Sequence, residues 1–350
     1  PAQLAGYESR LEVLRELSAR GEAVRRQYEN QIFGLENSHK AVSGYLSGLL
    51  DEERMAKKAA FEEDFRSRIA ADPELQEKYG GAWDAIAHAQ AELTRLFARN
   101  RYHGFGGSEL LGIAGTLVQL PIQTAIPDSV RQPAFRESRL ERTRGQITGD
   151  ASFDLELETM NLAAQLRLAQ EALPTGDPFL EAVLDGRTPE EAAERLISET
   201  RLTEMELREG LLEGGADAIQ RCTDPLIVVA REIQPLVEEV VGRTEELNAV
   251  IGNNAELVGQ AIFAAYGHAL PPDATFTLRI TDGVVKRYPM NGTYAPYKTT
   301  IYGLFARAAE FDHEPPWALA PRWAQAEGRL DLSTPLNFVS TNDIIGGNSG

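Results

Sequence analysis

Phe276-Thr277-Leu278-Arg279-Ile280-Thr281-Asp282-Gly283-Val284-Val285-Lys286-Arg287-Tyr288 is the stretch on which the fold turns. Phe276, Leu278 and Ile280 alternate with Thr277, Arg279 and Thr281, the period-two pattern of a half-buried strand. Asp282-Gly283 suits a two-residue turn, and Val284 to Tyr288 reads as the returning strand. Asn291-Gly292 marks another turn. A short helix is expected over about 300–310 and another from Arg322 to Glu327. Leu336 to Ser340 reads as a strand entering a glycine-rich end.

Upstream of Pro271-Pro272-Asp273 the period changes from two to three and four. Leu11, Leu14 and Leu17 begin an apolar stripe that Val24, Tyr28, Ile32 and Leu35 continue. Helix starts are marked at Asp72-Pro73-Glu74, at Thr188-Pro189-Glu190-Glu191 and at Thr203 with Glu206, the last two as capping boxes. Asp224-Pro225 opens a long helix towards Tyr266, with Pro235 placed to kink it. Breaks are expected at Gly80-Gly81, Gly104 to Gly107, Pro127, Pro174 to Pro178 and Gly214-Gly215. The reading gives six to eight helices. The fold class is therefore α+β: an α-helical domain over 1–268, then the start of an all-β unit over 269–350.

The chain has 350 residues, and 53 acidic against 35 basic side chains set its charge at −18. That sign repels phosphate backbones, so nucleic acid is not an expected partner. It also disfavours binding to an anionic membrane surface, and no apolar run is long enough to span a bilayer. One cysteine, Cys222, excludes an internal disulfide framework and a cysteine-rich zinc site, and reads as a small buried hydrophobe. Acidic runs such as Asp51-Glu52-Glu53 read as solvated helix faces. The loop from Asn100 to Gly107 lacks the Gly-Lys-Ser/Thr ending of a phosphate loop. No metal spacing links His39, His88, His103, His268 and His313, and no cofactor is expected. Trp83, Trp317 and Trp323 read as core or lid packing.

The chain starts with Pro1, carries no signal-peptide pattern and ends within Gly346-Gly347-Asn348-Ser349-Gly350, so it is read as an internal piece of a longer protein. A strand feeding such a loop suits a nucleophilic serine. Its oxygen needs an exposed tight turn, and glycines let backbone N–H groups converge on a developing oxyanion. By the spacing of chymotrypsin-like enzymes, Ser349 is the nucleophile and the N–H groups of Gly347 and Ser349 form the oxyanion hole.

Several stretches closely resemble the bacterial dipeptidyl-peptidase 7 and 11 family of serine peptidases. They are Pro272 to Arg279, Tyr294-Ala295-Pro296-Tyr297 to Gly303, Asn337 to Ile344, and the terminal Gly-Gly-Asn-Ser-Gly. Weaker echoes lie at Asp224 to Arg231 and Tyr28 to Lys40. The resemblance implies a chymotrypsin-like double barrel with a helical domain inserted into it, capping the cleft. It implies release of dipeptides from free N-termini, in the periplasm or outside the cell, and a possible homodimer. The family's catalytic His and Asp precede the helical insertion, so this chain is expected to hold the nucleophile without its base and to be inactive alone.

The resemblance further implies that an Asn of the helical domain, within an Asn-aromatic-x-Lys stretch, holds the substrate's ammonium. Asn37-Ser38-His39-Lys40 is the nearest match, with Ser38 replacing the aromatic, so Asn37 is the candidate and Asn30 the second. Asp343 lies where trypsin-like enzymes select basic side chains, yet the family carries it regardless of specificity, so a structural role is expected. Asn348, standing where trypsin-like zymogens carry Asp, predicts no activation by ion pairing with a new N-terminus. His268 and His313 are not expected as the base. Two other readings stay open: a trypsin-like endopeptidase with a helical appendage, and a non-enzymatic helical interaction protein.

Overall fold

A computed structural model describes residues 1–149, 152–267 and 280–342. The chain divides into two units, Pro1–Leu270 and Pro271–Gly350.

The first unit is helical. Helices α1 (Ala2–Ser18) and α2 (Glu22–Leu50) fold back on each other. Arg15 pairs with Glu36 at 2.8 Å, and Glu8 meets His39 at 3.1 Å. The Leu11–Leu35 stripe is therefore one apolar seam contributed by two helices. The chain continues through α3 (Glu52–Ala70), α4 (Pro73–Tyr79), α5 (Ala82–Tyr102) and α6 (Glu109–Thr124). Next come α7 (Glu137–Thr148), α8 (Leu155–Ala172), α9 (Pro178–Leu184), α10 (Pro189–Glu199), α11 (Met205–Arg221) and α12 (Pro225–Tyr266).

Twelve α-helices among the described residues of the first unit exceed the six to eight expected. One of the added boundaries is a single-residue connection that carries no Gly or Pro. Asp51 ends α2 and at once caps α3, accepting a hydrogen bond from the N–H of Arg54 at 2.9 Å. The capping box at Thr188 and Glu191 forms as expected. The one at Thr203 does not: α11 is preceded by Glu204, whose carboxylate is held by Arg201 instead of turning to the backbone. Helix α12 runs unbroken through Pro235 for 42 residues, about 63 Å at 1.5 Å per residue.

The main core lies where α6, α8, α10 and α12 meet. Leu110, Leu117, Leu162, Leu196, Leu226, Ile227 and Ile233 are fully buried there. Leu226, Ile227, Ala230 and Ile233 recur along α12 at the spacing of one helical face. A second cluster joins α1, α2 and α8 through Val13, Leu14, Leu17, Tyr28 and Ala164. A third joins α3, α4 and the far end of α12 through Phe65, Ile69, Tyr79 and Ala261, with Trp83 edge-on to Phe65 at 5.2 Å.

In the second unit, β1 (Tyr288–Met290) and β2 (Thr293–Ala295) form a tight antiparallel hairpin around Asn291-Gly292. β3 (Lys298–Thr300) runs into α13 (Ile301–Glu310) and pairs with β4 (Pro335–Phe338), with an irregularity between Thr299 and Thr300. A short α14 (Pro321–Ala324) lies between α13 and β4. The expected strand 276–280 lies largely outside the described residues. Of the expected return strand Val284 to Tyr288, Val285 forms an isolated bridge to Ser340 and Tyr288 opens β1, with no strand between them. Trp317 and Trp323 are each 43% exposed, so neither is a core residue, although Trp317 stacks on Phe311 at 5.1 Å.

Candidate functional site

The strand that leads towards Ser349 is anchored on both sides. Lys298 stands opposite Phe338 and Thr299 opposite Asn337 in the β3–β4 ladder. Beyond β4, the N–H of Val339 donates to the carbonyl of Tyr297 at 2.8 Å. On the other side, the N–H of Lys286 donates to the carbonyl of Val339 at 3.2 Å, and the N–H of Thr341 to the carbonyl of Val284 at 3.1 Å. The N–H of Val284 reaches Thr341 Oγ1 at 3.0 Å, and Asn342 Nδ2 donates to the carbonyl of Thr281 at 2.9 Å. The backbone is thus tied down as far as Asn342. Asp343, Gly347, Asn348 and Ser349 lie outside the described residues, as does His268.

Asn37 stands on α2, exposed, and among the described residues no hydrogen bond reaches its carboxamide. Asn30 is also exposed. Seven residues at 100° each bring the two asparagines within about 20° of one another around the helix. Phe33, 72% exposed, sits between them on the same face. Sequence reasoning passed over Phe33; its spacing of three and four from the two asparagines was the available signal. A cavity of about 810 Å³ between α1 and α2 is lined by Glu8, Glu12, Glu16 and Glu36 together with Arg15, His39 and Lys40, and Asn30, Phe33 and Asn37 are not part of its lining. A carboxamide oxygen can accept from an ammonium group.

The α2 platform is fastened to α8. Tyr28, buried on the inner face of α2, donates its hydroxyl to the carboxylate of Asp154, which also caps α8 through the N–H of Leu157. Burial, then the neighbouring Asp154, pushes the Tyr28 hydroxyl up to about 12. The same hydroxyl holds Asp154 below the usual carboxylate range. Arg20 and Glu156 add a two-pronged pair nearby, one prong at 2.6 Å.

Two polar arrangements were not legible in the sequence. His103, at the end of α5, is buried with its Nε2 at 2.9 Å from Asp177, the cap of α9, and its ring stacks on Phe179 at 5.2 Å. No spacing signal joins residues 74 apart. Glu158 reaches from α8 to the start of α6, accepting from Ser108 Oγ at 2.6 Å and from the N–H of Leu110 at 3.0 Å. A carboxylate thus occupies the helix start that follows Gly104–Gly107, where a phosphate loop would need an anion. Cys222 is partly buried against the main core. Among the described residues no three His, Cys, Asp or Glu side chains converge as a metal site.

The profile of the peptidase S46 family matches residues 1–350. The Asp/Glu-specific dipeptidyl-peptidase of Flavobacterium psychrophilum is 23% identical over all of this chain and half of its own length. Dipeptidyl-peptidase 7 of Porphyromonas endodontalis is 24% identical over 94% of this chain and 41% of its own. The chain therefore spans about half, or less, of the length of these relatives. The crystal structure of Porphyromonas endodontalis DPP11 superposes with a TM-score of 0.67 at 19% identity, covering 99% of this chain and 51% of that one.

Proposed function

The chain belongs to the peptidase S46 family, and from that premise we propose that it is the nucleophile-bearing part of a serine dipeptidyl-peptidase. The observation that carries the reading is the segment from β4 to Asn342, hydrogen-bonded to β3 and Tyr297 on one side and to Thr281, Val284 and Lys286 on the other, and continuing in sequence into Gly346-Gly347-Asn348-Ser349-Gly350. A nucleophile must be presented from rigid backbone, because small misplacements cost large factors in rate.

Ser349 Oγ attacks the carbonyl of the substrate's second residue, and a histidine takes the serine proton. The N–H groups of Gly347 and Ser349 receive the negative charge that forms on the carbonyl oxygen. The peptide bond breaks, the histidine returns the proton to the leaving amine, and a dipeptidyl ester remains on Ser349. Water then releases the dipeptide. Asn37 holds the substrate's free ammonium, which sets the cut after two residues. Its exposed and unengaged carboxamide on α2 supports that role.

The second unit contributes the first part of a chymotrypsin-like barrel. The catalytic His and Asp come from sequence outside residues 1–350, so these residues alone turn over no peptide. The protein works in the periplasm or outside the cell, as a possible homodimer. One named relative is Asp/Glu-specific, so an acidic preference is the first to test, against a hydrophobic one.

The test uses the complete reading frame, as wild type and as Ser349→Ala, with short peptides whose N-termini are free or acetylated. Mass identification of products is expected to show dipeptides from the free peptides only, abolished by the substitution. Internal cleavage of both peptide types would replace the reading with an endopeptidase.

A further inference from the structure

Gly283 stands against the backbone of Thr341 and Asn342. A Cβ placed on Gly283 would lie 2.5 Å from the backbone nitrogen of Asn342, 2.8 Å from its Oδ1 and 2.9 Å from the carbonyl carbon of Thr341. Two of these three neighbours are backbone, so they cannot swing aside as a flexible side chain would. Gly283 has no left-handed φ, so space and not torsion demands glycine here. Around this contact, Val284 donates to Thr341 Oγ1, Thr341 donates to the carbonyl of Val284, and the Asn342 carboxamide donates to the carbonyl of Thr281. Three consecutive interactions and one forced approach thus converge on the last two described residues before the serine loop.

We infer that Gly283, Thr341 and Asn342 are positioning residues: they form a clamp that sets the origin and direction of the segment carrying Ser349. The inference rests on the reading of Ser349 as nucleophile. The clamp does not touch substrate. It acts by holding the serine loop at the distance and angle that attack requires, where a displacement of about 1 Å is worth about 10²-fold in rate.

The test uses the complete reading frame with Gly283→Ala, Asn342→Asp, Thr341→Val and its conservative counterpart Thr341→Ser. Gly328→Ala, at a glycine with open space around it, is the control. Peptide turnover, the rate of Ser349 labelling by a fluorophosphonate, and thermal melting are measured on each. Gly283→Ala and Thr341→Val are expected to lower kcat and the labelling rate about 10- to 10²-fold with KM little changed, the signature of an effect on the reacting centre alone. Thr341→Ser, which keeps the accepting oxygen, is expected to restore both rates.

Clamp variants with wild-type kcat and labelling would overturn the inference, provided Ser349→Ala still abolishes turnover. Losses that only track a lowered melting temperature, and vanish on cooling, would overturn it too. Turnover surviving in Ser349→Ala would remove the serine reading, and the clamp with it. Should Gly283→Ala fail to fold, the Thr341→Val and Thr341→Ser pair decides alone.

Discussion

Arg208 is 2% exposed, in a helical unit whose other fully buried large side chains are apolar. Its guanidinium donates to the carbonyls of Ile147 at 2.6 Å and Gly149 at 3.2 Å and lies 5.4 Å from the centre of the Phe153 ring. These carbonyls belong to the end of α7, where the helix leaves acceptors without intrahelical donors and favours positive charge. Arg208→Ala should cost about 2 kcal/mol, because the carbonyls stay buried without their donor. Arg208→Lys should recover only part, since an ammonium lacks the guanidinium plane that lies against the Phe153 ring. Urea denaturation midpoints would check both.

Tyr28 and Asp154 make a pH-dependent pair at the same scale. Asp154 has a lowered folded pKa, so its contribution is present above the unfolded value of about 3.9 and is lost as pH falls through the folded value. Tyr28 has a raised pKa, so its contribution is complete below its unfolded value of about 10 and is lost as pH rises through about 12. Tyr28→Phe should therefore destabilise the protein at neutral pH, and the gap to wild type should close below about pH 3.9. Melting curves recorded from pH 2 to 8 on both proteins would show a constant gap if the pair carried no such linkage.

At the scale of elements, buried caps decide where the helices meet. Asp224 caps α12 through the N–H of Leu226 and also accepts from Thr200 Oγ1 and the N–H of Arg201. One carboxylate thereby joins the start of α12 to the end of α10. Helix α11 carries a different device. Gly215 sits in its middle at φ 57° and ψ −148°, a conformation open essentially to glycine alone. The neighbouring Gly214 keeps helical backbone, so of the adjacent glycines it is Gly215 that turns the helix. Gly215→Ala should cost about 1–3 kcal/mol, while the helical content barely changes. Circular dichroism at low temperature together with a melting curve would separate the two effects.

At the scale of the whole molecule, the two units differ in how they hold themselves together. Three apolar clusters lie within the helical unit. The described part of the second unit buries only Ala295, Ile301, Phe305 and Ala308 as apolar side chains, while Tyr302, Phe338 and Val284 are each more than 60% exposed. Residues 1–267 made alone should therefore melt cooperatively, as calorimetry would show. Residues 280–342 made alone should give no cooperative transition, since so short a segment with so few buried groups cannot offset its chain entropy. Cooperative melting of that segment would require a core other than the one described.

Local chemistry determined what the sequence by itself could tell. The caps at Asp72, Thr188 and Asp224, the 301–310 helix, the Asn291-Gly292 turn and the strand before the serine loop all depend on neighbours within a few residues. Family membership was legible for the same reason, in short runs of consecutive residues. Only the tertiary structure could bring His103 to Asp177, Arg208 to the end of α7, or Gly283 against Asn342. Those partners are 74, 61 and 59 positions apart, and no period or spacing encodes a contact that exists only after packing has chosen which faces meet. The count of helices went the same way. A single aspartate can end one helix and cap the next, and whether it does is decided by what the second helix then finds to pack against.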